Sequence, residues 1–283
     1  MTEQEAFSHG VAVVTGAGAG IGSGIARRLG ELGMTVVVTD ISAERAEAVA
    51  KAIRDAGGKA EAEAVDVSRP AELDRLAAEV FERHGAVRVL VNNAGIETLG
   101  YSWEIPIERW EATLNINVHG VVHGVRAFMP YMLKAGEEAW IANLASVGAF
   151  GMMPTQAAYT MSKHAVQSFS ECLYLEVEHI GAPIHVSSII PGMLKTKIFD
   201  ADAGEGEPGA AQRHRQVMHD YMKAYGMDLD EGCRRIVAQM AEGKFWVSTQ
   251  PEMTESIVNA RVAFLQAREA PTLAVEARQL LES

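Results

Sequence analysis

Tyr159 and Lys163 lie four residues apart in a stretch with helical periodicity. On a helix they project from one face, about one turn apart. A phenol titrates near pH ~10, and an ammonium beside it favours the phenolate. Bringing such a phenol to about pH 7 takes roughly 4 kcal/mol, at ~1.4 kcal/mol per pH unit. A phenol so tuned can pass a proton to or from a substrate oxygen. Ser146, thirteen residues upstream, ends an apolar run. Its hydroxyl can hold the same oxygen and help stabilise charge on it.

Other motifs surround this set. Thr15-Gly16-Ala17-Gly18-Ala19-Gly20-Ile21-Gly22 follows an apolar run and opens a helical one. Glycines there let the backbone turn tightly and approach a pyrophosphate, and a helix N-terminus supplies free N–H groups. Asp40 ends the next run, where a carboxylate accepts hydrogen bonds from ribose hydroxyls and repels a 2′-phosphate. Asp66-Val67 and Asn92-Asn93-Ala94-Gly95 end two further runs. Asn115 and Asn117 stand close together before Gly120, and Pro191-Gly192 precedes Thr196 by four residues.

The glycine spacing is not G-x-G-x-x-G. Together with the motifs downstream it resembles the short-chain dehydrogenase/reductase family, from about residue 9 to residue 196. The resemblance implies a catalytic set of Asn117, Ser146, Tyr159 and Lys163. It favours Asn117 over Asn115 because of the glycine three residues on, and implies that this Asn anchors a water leading from the Lys. It implies cofactor contacts from Gly16, Gly18, Gly20, Ile21, Gly22, Asp40, Asp66, Val67, Asn93, Ala94, Gly95, Tyr159, Lys163, Pro191, Gly192 and Thr196. The cofactor expected is NAD rather than NADP, since Ile41 and Ala19 hold the positions where NADP-dependent relatives place a basic residue. The resemblance also implies a homodimer or homotetramer built through the long helices.

These motifs need a parallel sheet to carry them. Strands are expected at Val11–Val14, Thr35–Thr39, Ala60–Val65, Val87–Val91, Trp140–Leu144, Ile184–Ile190 and Lys244–Ser248. Helices are expected at Ile21–Leu32, Ala43–Ala56, Pro70–His84, Ile107–Leu133 and Ala157–Ile180. Several strands are apolar on both faces, as in a sheet buried under helices. The expected fold is α/β: a Rossmann-like, doubly wound parallel sheet of about seven strands, with helices on both faces and one domain over 1–283. Within it, about 193–227 reads as a substrate-loop or lid insertion, and about 252–283 as a helical C-terminal extension. Met218, Tyr221, Met222 and Tyr225 fall at helical spacing on that lid.

The substrate is expected to be a small molecule: a bulky, uncharged, apolar secondary alcohol or ketone. Ser146, Met152, Met153, Gln156 and Met193 are the expected contacts, with Ile96, Leu99, Ile198 and Phe199 completing an adaptable apolar wall. Lys195 and Lys197 are expected to point outward from a helix. C=N or C=C reduction on the same scaffold is the alternative chemistry. A non-catalytic dinucleotide-binding regulator is the alternative class, disfavoured because binding alone does not need the Tyr–Lys pair.

Composition narrows the rest. The net charge of −12 argues against nucleic acid and anionic membranes as partners. No apolar run is long enough to span a bilayer. The N-terminus lacks the apolar core of a secretion signal, and a cytoplasmic, reducing home is expected. Cys172 and Cys233 read as buried free thiols, and the nine histidines show no metal-ligand spacing, so no metal is expected.

Overall fold

Seven short runs pair in parallel: β1 (Val11–Val14), β2 (Thr35–Asp40), β3 (Lys59–Ala64), β4 (Val89–Asn92), β5 (Ala139–Leu144), β6 (Ile184–Ile190) and β7 (Trp246–Ser248). Their spatial order is β3-β2-β1-β4-β5-β6-β7. In this computed structural model, residues 1–199 and 209–282 are described. β1 and β4 are wholly buried, as expected of strands apolar on both faces. β3 is the edge and reads Lys-Ala-Glu-Ala-Glu-Ala, with charges that discourage pairing with another sheet.

Helices cover both faces. α1 (Glu3–Phe7), α2 (Gly20–Leu32), α3 (Ala43–Asp55) and α9 (Leu229–Ala241) bury Phe7, Ile25, Leu29, Ile53 and Ile236 on one side. α4 (Pro70–His84), α6 (Gly120–Ala135) and α7 (Ala157–Ile180) bury Leu73, Leu76, Phe128, Met132 and Leu173 on the other. α5 (Ile107–Leu114) leads into α6. α8 (Gly209–Tyr225), α10 (Pro251–Ala267) and α11 (Val275–Glu282) complete the described chain, and α11 packs on α8. The C-terminal extension is therefore helical, as expected.

Four local readings change. The polar N-terminus forms α1, closed by a Thr2–Glu5 capping box, and Phe7 meets Trp140 edge-on at 5.1 Å. The helix expected over Ile107–Leu133 is interrupted by a π-helical turn at Asn115–His119. Cys172 is exposed, because it falls on the solvent side of α7; only Cys233 is buried. Lys195 and Lys197 do point outward, but from a bent segment rather than a helix, with Leu194 bridged to Met227.

A polar chain crosses the core beneath the crevice. Asn92 and Asn143 are register partners on β4 and β5, and Asn92 Nδ2 donates to Asn143 Oδ1 at 2.9 Å. Asn143 Nδ2 donates to Ser170 Oγ at 3.0 Å, and Ser170 Oγ donates to the Val166 carbonyl at 2.7 Å. The chain ties two strands to α7. Gly124 of α6 lies against it: a Cβ there would stand 2.0 Å from Asn92 Oδ1. Gly124→Ala should therefore destabilise the fold by about 2 kcal/mol, despite alanine's better helix propensity. A urea-unfolding midpoint equal to or above wild type would contradict this packing.

Candidate active site

β1 and β4 are adjacent, but the chain leaves them toward opposite edges of the sheet. A crevice opens at their C-terminal ends, the usual ligand position in such sheets. The Gly16–Gly22 turn forms one wall. Gly16 has φ +61°, and a Cβ on it would lie 2.7 Å from Ala94 Cα. A Cβ on Gly22 would lie 2.3 Å from Asn93 Nδ2. Only glycine lets the turn press against the end of β4.

Asn93 is the fastener. Its Nδ2 donates to the carbonyls of Thr15 and Gly16 at 2.8 and 3.0 Å. Thr15 Oγ1 accepts from the N–H groups of Asn93 and Ala94 at 3.0 and 3.2 Å. α2 then begins at Gly20 after Ala19, with no side chain capping it. Its first N–H groups are left for an anion, and the partly buried Ile21 side chain packs the helix against the core.

Asp40 closes the far end of the turn. Its Oδ2 accepts from Gly18 N at 3.1 Å, and its Oδ1 accepts from Ser42 N at 3.0 Å and Arg45 Nη2 at 2.6 Å. Arg45, on α3, lies five residues past Asp40 and carries no local sequence signal for this contact. Further along the crevice, Asp66 accepts from Ser68 N and Oγ, and Val67 is buried beneath Gly120. On the opposite lip, Gly192 N donates to Thr249 Oγ1 at 3.1 Å, and the Pro191 carbonyl accepts from Val147 N. Thr196 stands across from the glycine turn, 3.9 Å from the position a Gly20 Cβ would take.

The four residues expected to be catalytic, Asn117, Ser146, Tyr159 and Lys163, gather at the same end. Asn117 is fully buried on the π-helical turn and clamps Ile96: Ile96 N donates to Oδ1 at 2.8 Å, and Nδ2 donates to the Ile96 carbonyl at 2.9 Å. Nδ2 also donates to Ser162 Oγ at 3.0 Å, joining this brace to α7. Asn115 instead lies by His119 on the exposed side. A Cβ on Gly95 would lie 3.3 Å from Asn117 Oδ1 and 3.6 Å from Lys163 Nζ, so these groups converge. Lys163 Nζ donates to the Leu144 carbonyl at 2.8 Å and lies 5.6 Å from the Tyr159 ring centre. Ser146 follows β5, with its Oγ accepting from Gly148 N at 3.0 Å.

The electrostatics differ from the simple expectation. Burial pushes the Tyr159 phenol up, the charge of Glu97 adds to this, and hydrogen bonding to Ser146 works against it. Burial lowers Lys163 to about 8, with Glu97 opposing. The chain's own groups thus hold Tyr159 protonated, because desolvation and the charge of Glu97 outweigh the hydrogen bond to Ser146. Glu97 itself is 6% exposed and is raised to about 8, chiefly by burial, with Arg215 and Lys163 pulling it down. Nothing in its spacing marked it out.

The expected substrate residues are unevenly covered. Gln156 takes the N-cap position of α7 without a capping hydrogen bond and is half-buried, Met153 is half-buried, and Met152 is 50% exposed. Met193, Ile198 and Met218 pack on a small apolar cluster of Leu99, Phe199, Ala211 and Met222. α8 therefore packs against Leu99 and the segment that follows Pro191-Gly192. Residues 200–208 of that segment lie outside the described residues. Tyr221 and Tyr225 are exposed and packed on each other at 4.6 Å, so they do not face the cluster.

Comparison with known proteins agrees with this geometry. The family model described as short chain dehydrogenase matches residues 10–205. The chain belongs to the short-chain dehydrogenase/reductase family of oxidoreductases. A relative called "Probable oxidoreductase EphD", from Mycobacterium tuberculosis, is 32% identical over 228 residues. That match covers 78% of this chain and 38% of the relative, so the chain spans well under half of that protein's length. A short chain dehydrogenase/reductase of Burkholderia phymatum, solved in complex with NAD, is 30% identical, with a TM-score of 0.90 over 95% of this chain and 99% of that one. A metagenomic short-chain oxidoreductase solved in complex with NADP is 36% identical, with a TM-score of 0.62 over 66% of this chain and 83% of that one. No helix among the described residues is long and apolar enough to cross a membrane, and no cluster among them is arranged to hold a metal.

His214 docks α8. It is fully buried on α8, and its Nδ1 lies 2.6 Å from Thr155 Oγ1. The Thr155 hydroxyl donates to the Pro154 carbonyl, so Nδ1 carries the proton in the His214–Thr155 bond. Burial, then Arg215, lowers His214 to about 4. A neutral buried histidine binds its proton less readily when folded. Its contribution to stability is therefore complete above pH ~6.5 and is lost as pH falls toward about 4. His214→Gln should flatten the stability loss over that window, measured as melting temperature against pH relative to wild type. Parallel curves for the two proteins would rule this out.

Proposed function

We propose that the chain is an NAD(H)-dependent oxidoreductase that interconverts a secondary alcohol and a ketone on a bulky, largely apolar small molecule. What carries this reading is the convergence of Tyr159, Lys163, Ser146 and the Asn117 brace beside an uncapped helix N-terminus and a glycine turn. The turn and helix end fit a pyrophosphate. Asp40 fits a ribose diol. A bound nicotinamide dinucleotide supplies the hydride acceptor or donor.

Tyr159 gives its hydroxyl proton to a carbonyl being reduced and takes one from an alcohol being oxidised. Ser146 orients that oxygen. Lys163 sits where it steadies the proton balance at Tyr159, with its ammonium anchored on the Leu144 carbonyl. Asn117 holds Ile96 and α7 in one frame, so the parts keep their spacing. Met193, Leu99, Phe199 and Met222 offer an apolar surface, and α8 shields it from water. Exposed apolar residues on α6 and α7, among them Tyr131, Leu133, Met161, Leu175 and Ile180, support a homo-oligomer joined through these helices.

Two outcomes test this reading. Tyr159→Phe should keep the melting temperature and NADH binding but lower kcat by about a hundredfold or more. If a tenth of the activity survived, the assigned role of Tyr159 would be wrong. NAD(H) should outperform NADP(H) by about a hundredfold in kcat/KM, since Asp40 occupies the space of a 2′-phosphate. Asp40→Ser should narrow that gap, because it releases Arg45 to meet the phosphate. Equal wild-type efficiency with both cofactors would defeat the proposal, and so would an unchanged gap in the variant.

A further inference from the structure

One charged residue in the catalytic chamber is left unused by the mechanism above. Glu97 follows Ile96, which Asn117 clamps by both its N–H and its carbonyl. It precedes Thr98, whose Oγ1 lies 2.7 Å from Thr113 Oγ1. Its own carbonyl accepts from Arg109 Nη2 at 3.3 Å. The backbone at Glu97 is thus pinned before, at and after the residue. Its carboxyl is buried, yet Oε1 has no hydrogen-bond partner. A buried, fixed polar atom without a partner is costly, and folded chains seldom keep one unless a ligand completes it.

Its surroundings say where it faces. Gly95 lies beside Lys163, and Leu99 packs under α8 against Met222 and Ala211. Glu97 stands between these two, and its charge is felt at both Tyr159 and Lys163. Arg215, on α8, acts on it as well. We propose that Glu97 binds substrate, its free carboxyl oxygen engaging a second hydroxyl on the carbon next to the one that reacts. The inference rests on the alcohol–ketone reading and narrows it to vicinal diols and the α-hydroxy ketones they yield.

The state of Glu97 points to this class. Burial favours the neutral acid, which both donates and accepts, as a hydroxyl also does. The apolar cluster holds the carbon skeleton, and Glu97 adds one directional contact to it. A site built to bond a hydroxyl rejects an analogue without one, because its own buried group is then left unpaired.

Two matched pairs test this with NAD+: cyclohexane-1,2-diol against cyclohexanol, and 1,2-diphenylethane-1,2-diol against 1,2-diphenylethanol. Each diol is symmetric in connectivity, so whichever carbinol reacts has a hydroxyl beside it. The wild-type enzyme should prefer the diol of at least one pair by about tenfold or more in kcat/KM, mainly through KM. Glu97→Leu should bring that ratio to about one, while Glu97→Gln, which still donates and accepts, should hold it within about threefold. A merely structural Glu97 would move both members of a pair together and leave the ratio alone. Turnover with no diol preference in either wild-type pair overturns the assignment of Glu97, as does a preference that survives in Glu97→Leu. If no alcohol of the four is oxidised, the alcohol–ketone reading falls, and this inference with it.

Discussion

The contact between the glycine turn and the end of β4 is the constraint on which the rest of the site depends. Asn93 spans it, donating to two carbonyls of the turn, and Thr15 returns the favour to two N–H groups. The approach is so close that a methyl on Gly16 or Gly22 would collide with β4's end. Because the turn cannot drift from β4, the uncapped end of α2 keeps a set distance from Gly95. Gly95 in turn lies against Asn117 and Lys163. One backbone junction therefore sets the spacing between the anion-binding end of the crevice and its proton-transfer end. Both ends must serve one ligand, and reaction geometry tolerates only small errors.

Behind that junction, the core spends polar groups to hold helix α7 in register. The Asn92–Asn143–Ser170 chain and the Asn117–Ser162 bond both end on α7, one at the middle of the sheet and one close to Tyr159 and Lys163. Apolar packing alone leaves a helix free to slide by fractions of a turn. Directional bonds at two points do not, so Tyr159 and Lys163 inherit their positions from residues that never touch a substrate. The π-helical turn belongs to the same scheme. It adds a residue where a straight helix from Ile107 would have carried Asn117 past Ile96.

Much of this was legible in the sequence, and the reasons differ by element. The strands announced themselves because parallel strands buried on both faces are continuous β-branched runs, as in Thr35–Thr39. The glycine turn, Asp40, Asn117, Ser146, Tyr159 and Lys163 were legible because their spacing is tied to strand ends that periodicity already marks. What escaped was decided by contacts between segments far apart in the chain. Arg45 meets Asp40 because α3 starts by turning back over β2. His214 meets Thr155 across fifty-nine residues. Cys172 lies outside because the rotation of α7 is set by its packing, which helical propensity does not reveal. Glu97 carries no local signal at all, since an acid in a loop reads as solvated until the fold covers it. The charge state of Tyr159 also escaped: its nearness to Lys163 was visible in the spacing, but the burial that raises the phenol was not.

Burial then links chemistry to packing. A chamber that must shift protons between oxygen atoms works best with water excluded, since the low dielectric strengthens each remaining polar contact. Glu97 and Lys163 are buried here, and α8 packs nearby through Met222 and Ala211 on Leu99 and through His214 on Thr155. Burial raises Glu97 and Tyr159 and lowers Lys163, all by desolvation first. Proton affinity in this crevice is therefore set by how closely the surrounding elements pack, and Thr155, held at φ 65° where it receives His214, is one of the points that fixes α8 in that packing.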